Sequence, residues 1–179
     1  MDKYVKYMKV TDEAFKIFKS KYNVYGDSFN LFRDISLIEQ IEIKIKRIIN
    51  IQSNVDMKVN GVGDDVVSEF LGVYNYSIQY FLRRYDVTNY EKPYKDVSSD
   101  IFELMKKKDH DYGSAWENMH IWTLTDLINV KLSRIKSMII TQMEGGEVNE
   151  QDTEGVDSNI MDLANYSIFC LIKINDKKI

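Results

Sequence analysis

The sequence has little that could bend or cross-link a chain. Its 179 residues include one proline, one cysteine, two histidines and eight glycines. A lone Cys170 cannot form an intrachain disulfide, and two histidines without cysteine partners give no zinc-ligand spacing. Scarce proline and glycine leave few of the punctuators that separate short strands, which favours helices. No apolar run reaches the roughly 18 residues needed to span a bilayer. Basic residues are not in excess either. The net charge of −4 argues against an extended nucleic-acid surface, which needs a basic stripe. With no segment resembling a secretory leader, a cytoplasmic location is the expectation. Neither a nucleophile elbow nor a glycine-rich phosphate loop occurs.

What is present is a repetition. Tyr25-Gly26 returns as Tyr112-Gly113. The same step carries Phe15 to Phe102, Lys44 to Lys131, Arg47 to Arg134 and Ile48 to Ile135. Asn75-Tyr76-Ser77-Ile78 returns as Asn165-Tyr166-Ser167-Ile168, with three extra residues in the intervening loop. A unit this long is no solenoid repeat. Two copies, residues 1–90 and 91–179, are expected to pack on each other like the halves of a two-fold dimer.

Periodicity places three helices in each copy. Residues 1–10 show no clear period. Ala14, Phe15, Ile17 and Phe18 then form a stripe beginning near Thr11, a candidate N-cap. Ser36-x-x-Glu39 and Thr123-x-x-Asp126 have the form of capping boxes opening the second helix of each copy. Third helices are expected from about Asp64 to Arg84 and from Val156 to Ile174. Residues 85–97, with Pro93, read as the linker between copies, and another first helix begins near Ser99. The expected fold is all-α, with a four-helix-bundle-like core made from the two long helices of each copy around a pseudo-two-fold axis.

Chemistry could reside on the later helices. Glu154, Asp157, Asp162 and Asp126 offer hard oxygen ligands, while Lys131 and Arg134, with Lys44 and Arg47 in the first copy, offer cations. Together they make an inventory for Mg²⁺ against a polyphosphate. Capping or helix-dipole pairing would account for the same acids without a metal. Asn75 and Asn165 each fall within an apolar stripe. A buried asparagine must be fully hydrogen-bonded, so these two are either structural or substrate-facing. Tyr112 and Trp116 offer either an aromatic wall for a base or anchors for a glycine-enabled turn.

Lys-x-x-Asp-Tyr-Gly-x-x-Trp at Lys108 to Trp116 is followed by Thr-Asp-x-x-x-x-Lys-x-x-Arg at Thr125 to Arg134. Glu-Gly-x-Asp at Glu154 to Asp157 and Asp-x-x-Asn-Tyr at Asp162 to Tyr166 complete the succession. It resembles the nucleotide modification associated domain type 1 family, in a tandem two-copy form. The resemblance implies an all-α protein linked to nucleotide metabolism or base modification. More distantly the chain is similar to MazG-like nucleoside triphosphate pyrophosphohydrolases, which hold Mg²⁺ with ExxE and ExxD pairs. Glu39-x-x-Glu42 and Glu154-x-x-Asp157 have that form but lie in different copies. The first copy has Gly72 where the second has Asp162, so neither copy carries the whole set. Two functional readings follow: a nucleotide-binding protein, with Mg²⁺-dependent pyrophosphohydrolysis as its finer form, or a non-catalytic helical scaffold or regulator. The chain would act as a monomer whose halves form a pseudo-dimer, or as a homodimer.

Overall fold

A computed structural model of the chain describes residues 2–53, 63–146 and 155–177. Among them are six α-helices and no strands: α1 (Lys3–Tyr25), α2 (Asp34–Ser53), α3 (Gly63–Leu82), α4 (Glu91–Tyr112), α5 (Ile121–Met143) and α6 (Val156–Lys177). A 3₁₀ turn follows α1 at Ser28–Leu31, and its counterpart follows α4 at Ala115–Asn118. Both hinges work the same way. Gly26 and Gly113 end their helices at φ of 59° and 60°, a left-handed backbone that a side chain would strain.

Helix boundaries depart from the sequence reading in a consistent direction: the helices begin earlier. Residues 3–10 are the first turns of α1, capped by the Asp2 carboxylate, which accepts from the Tyr4 amide. Thr11 is therefore no N-cap. It is buried in mid-helix and donates to the Met8 carbonyl. Likewise α2 opens at Asp34 and α5 at Ile121, so Ser36 and Thr123 fall inside the first turn and the two capping boxes do not set these starts. His120 caps α5 instead, its ring nitrogen accepting from the Trp122 amide. Pro93 lies in the first turn of α4, where an amide proton has no partner to lose. The expected linker is thus half helix.

Four helices make the core. Ile38, Ile41, Ile45 and Ile48 of α2 are fully buried, as are Leu124, Ile128 and Ile135 of α5. Each such side chain contributes roughly 1.5–3 kcal/mol by leaving water. The long helices run antiparallel, as the bonds at their ends fix. Arg83 at the end of α3 pairs with Asp34 at the start of α2, 2.6 Å. Lys136 of α5 pairs with Glu42 of α2 at 2.7 Å and with Glu39 at 3.4 Å. At the far end, Gln52 of α2 donates to the Thr125 hydroxyl.

The outer helices α1 and α4 cross the bundle over α3 and α6, and their contacts are exchanged between copies. The Tyr7 phenol of α1 donates to Asn165 Oδ1 on α6, 2.6 Å, while Asn165 Nδ2 donates to the Ile101 carbonyl of α4. Equivalently, Tyr94 of α4 donates to Asn75 Oδ1 on α3, 2.7 Å, and Asn75 Nδ2 donates to the Ala14 carbonyl of α1. The tyrosine of each copy thus completes the asparagine of the other. Burial pushes both phenols well above their ordinary pKa, so they stay neutral donors. Ring contacts repeat the pattern: Tyr7 meets Phe102 at 4.9 Å and Tyr94 meets Phe15 at 5.0 Å.

Tyr7→Phe and Tyr94→Phe each leave a buried asparagine oxygen without its donor, at a cost of about 1–3 kcal/mol. In urea, each variant is expected to lower the midpoint of one cooperative transition without changing its slope. Two separate transitions, one per copy, would contradict an interlocked core.

Candidate functional site: paired clefts at the helix hinges

Each copy forms a cleft where its first helix turns back over its third. The first, of about 430 Å³, is lined by Phe18, Lys21, Tyr22, Phe29, Gly72, Asn75, Tyr76 and Gln79, among others. The second, of about 370 Å³, is lined by Met105, Lys108, Asp109, Trp116, Asp162, Asn165, Tyr166 and Phe169, together with Lys131. Read in order, the first eight of each are the same positions of the repeat. The duplication has made two versions of one concavity.

The second cleft carries the charge. Asp162 is 3% exposed, and its two oxygens are taken by two lysines: Oδ1 by Lys108 at 2.5 Å and Oδ2 by Lys131 at 2.9 Å. Lys108 comes from α4 and Lys131 from α5, so three helices of one copy meet at this carboxylate. Contact with Asp162 orients both ammonium groups at the cleft. Beside this triad, Trp116 stacks on Phe169 with centroids 4.2 Å apart and planes 4° from parallel. The indole N–H donates to Asp109 Oδ1, and Asp109 Oδ2 pairs with Lys3 at 2.8 Å. Lys3 also donates to the Ser114 hydroxyl. The start of the first copy therefore braces the aromatic wall of the second.

The first cleft has a different arrangement. Gly72 stands at the place of Asp162, and the acid has moved one helical turn back to Glu69. Glu69 is 2% exposed and pairs with Lys44 at 2.9 Å and Arg47 at 2.7 Å. The stem of Lys44 lies over Gly72, with its Cε 3.2 Å from where a Cβ would stand. Tyr22, Phe29 and Tyr90 pack edge to face where the second cleft has Asp109, Trp116 and Lys3.

The residues proposed from sequence separate into groups. Lys131, Asp162, Asn165 and Trp116 meet at the second cleft; Asn75 lines the first, with Lys44 beside it. Arg47 reaches Glu69 from a largely exposed position. Arg134 and Asp126 are exposed on α5. Asp157 faces elsewhere: both its oxygens receive Arg84, each at 2.6 Å, and the Tyr80 hydroxyl donates to it as well. Tyr112 ends α4 before the Gly113 hinge. Glu154 lies outside the described residues. Glu39 and Glu42, the other MazG-like pair, are held by Lys136, and Glu42 also by Lys46.

Among the described residues, no three His, Cys, Asp or Glu side chains gather closely enough to hold a metal ion. Of the described acids, Asp162 is held by two lysines and Asp157 by Arg84, so these two do not face one another. Trp116 serves mainly as an anchor, being buried and stacked. Asn165 and Asn75 are structural on their oxygens, yet each keeps a second amide proton and borders a cleft.

Sequence reasoning gave no role to Lys108, Glu69, Asp109 or Lys3. Lys108 stood inside the quoted motif. Glu69 was legible only as an acid one turn before Gly72, on the face that Asp162 occupies in the other copy.

The chain is thus an all-helical protein with two equivalent clefts, one rich in charge and one in tyrosine. It belongs to the family described as Nucleotide modification associated domain 1, whose model matches it twice, over residues 21–83 and 108–174. Each match begins at the lysine of its cleft, Lys21 or Lys108. No curated protein and no solved structure matches the chain. No helix among the described residues is long and apolar enough to cross a membrane.

Arg84 holds the Asp157 carboxyl below its ordinary range, and burial, the next influence, opposes this. A lowered acid stabilises the fold above its unfolded pKa of about 3.9 and loses that contribution as pH falls through the folded value. Since both partners are about half exposed, the pair is worth about 0.5–1 kcal/mol. Arg84→Ala should therefore lower the melting temperature near neutral pH. Its difference from the parent should shrink as pH falls through the folded pKa of Asp157, leaving the share due to the Arg84 contacts with the Tyr80 and Phe81 rings.

Proposed function

We propose that the chain is a nucleotide-binding protein and that the second cleft takes the nucleotide. The observation that carries this reading is the convergence of Lys108 and Lys131 on Asp162. Two ammonium groups held side by side offer donors to phosphate oxygens. Asp162 keeps them in place while the cleft is empty. The half-buried Tyr166 ring and Met105 provide an apolar wall, and the spare amide proton of Asn165 offers a polar contact. Family membership supports the same class of ligand.

In this reading Mg²⁺ arrives with the phosphates rather than residing on the protein. The finer reading, Mg²⁺-dependent pyrophosphohydrolysis, makes Asp162 a metal ligand together with Glu154 and Asp157. The pairing of Asp157 with Arg84 favours binding without hydrolysis; the other alternative is a non-catalytic helical scaffold or regulator, which would show no response to nucleotide.

The readings part at Asp162. For a lysine-keeping carboxylate, Asp162→Asn should retain or tighten deoxynucleoside triphosphate binding in calorimetry, whereas Lys108→Ala and Lys131→Ala should each weaken it about tenfold. For a metal ligand, Asp162→Asn should abolish both Mg²⁺-dependent binding and pyrophosphate release. Triphosphate affinity indifferent to both lysines would rule out the second cleft.

A further inference from the structure

We infer that the first cleft is a second ligand site with a different charge preference, taking a nucleoside monophosphate where the second takes a more highly charged nucleotide. The ligand class rests on the reading given above; the site itself rests on the cleft's own lining.

The two clefts differ first in the position of the acid. In the second cleft the carboxylate sits at the lining position, Asp162, and draws both lysines toward it. In the first, that position is Gly72, and the acid stands one turn earlier at Glu69, outside the lining. Lys44, the counterpart of Lys131, is drawn back onto Glu69 with Arg47. The lining of the first cleft therefore carries no carboxylate, the stem of Lys44 lying over Gly72 instead, and the lysine left at the mouth, Lys21, pairs with no carboxylate among the described residues. One exposed ammonium at the edge of an aromatic concavity suits a ligand with a planar ring and a single phosphate.

The remaining lining suits the rest of such a ligand. Tyr76 occupies the place of Tyr166 and keeps a half-buried ring at the cleft, while Phe29, like Trp116, is buried and anchors the turn. Aromatic rings accept any base by its face. Gln79 replaces Phe169 and brings an amide donor and acceptor where the second cleft has a buried ring. Ser28 adds a hydroxyl, and Asn75 has a spare amide proton. Polar groups converging in a half-open apolar cleft are the usual make-up of a small-molecule site.

The clefts are also joined. The asparagine of each is completed by a tyrosine from the other copy, Tyr94 for Asn75 and Tyr7 for Asn165.

Titration of the full chain with deoxynucleoside monophosphates and, separately, triphosphates tests the proposal, with calorimetry giving stoichiometry and amide shifts giving location. Lys21→Ala removes an exposed, unpaired side chain and should leave the melting temperature unchanged. It is expected to weaken monophosphate binding about tenfold and leave triphosphate binding intact. Gly72→Asp puts a carboxylate into the cleft, displacing only the flexible end of Lys44, and should abolish monophosphate binding. Monophosphate binding unaffected by both substitutions would overturn the proposal, as would mono- and triphosphate competing for one site. If monophosphates bind at the first cleft and triphosphates fail at the second, the further site stands and the second-cleft assignment falls. Triphosphate binding without monophosphate binding gives the opposite result, and failure of both sinks both.

Discussion

The structure depends on two asparagines that cannot be buried alone. Asn75 and Asn165 sit within helices otherwise packed by isoleucine, leucine and aromatic side chains. Their amide groups would cost free energy there without partners. Each is satisfied from two directions: a main-chain carbonyl of its own copy's first helix and a phenol from the other copy. The crossed phenols make the halves obligatory to each other, because neither copy holds a donor for its own asparagine oxygen. A hydrophobic interface alone tolerates sliding; a directional bond to a buried amide fixes register and rotation. The position of α1 over α6, and of α4 over α3, follows from it.

Those placements create the clefts. Each is the space left where an outer helix turns at a left-handed glycine and the following 3₁₀ segment folds an aromatic ring against the third helix. The duplicated scaffold keeps this shape twice, with the chemistry free to diverge. Moving one acid by a single helical turn, from the position of Asp162 to that of Glu69, changes which lysines face the cavity. The same backbone thereby offers a charged pocket on one side and a tyrosine-rich pocket on the other. Family membership places the chain among proteins associated with nucleotide modification.

Much of this was legible in the sequence. Scarce proline and glycine, apolar spacing of three and four, and a repeated set of landmarks gave an all-α duplicated core. The recurrence of an asparagine within an apolar stripe marked a polar layer before any partner was known. Helix starts were less legible. Thr11, Ser36 and Thr123 have cap-forming side chains, yet the helices extend past them because tertiary packing stabilises turns that local propensity leaves undecided. The sequence allows facing helices to bring the acids together, Asp126 from one and Glu154, Asp157 and Asp162 from the next. On a helix, however, Asp157 and Asp162 are five residues apart and point to different neighbours, Arg84 and the lysine pair.

The sequence by itself determined the class of fold, the duplication and the family, since these rest on periodicity and on residues recurring at fixed spacing. Only the tertiary structure decided which charges meet. Whether a carboxylate binds a metal, a lysine or an arginine depends on what the facing helix presents at a few ångströms, and a linear pattern cannot specify that distance. The exchange of tyrosines between copies, the bracing of Trp116 through Asp109 by Lys3, and the drawing of Lys44 and Arg47 onto Glu69 all arise from contacts between residues far apart in the chain.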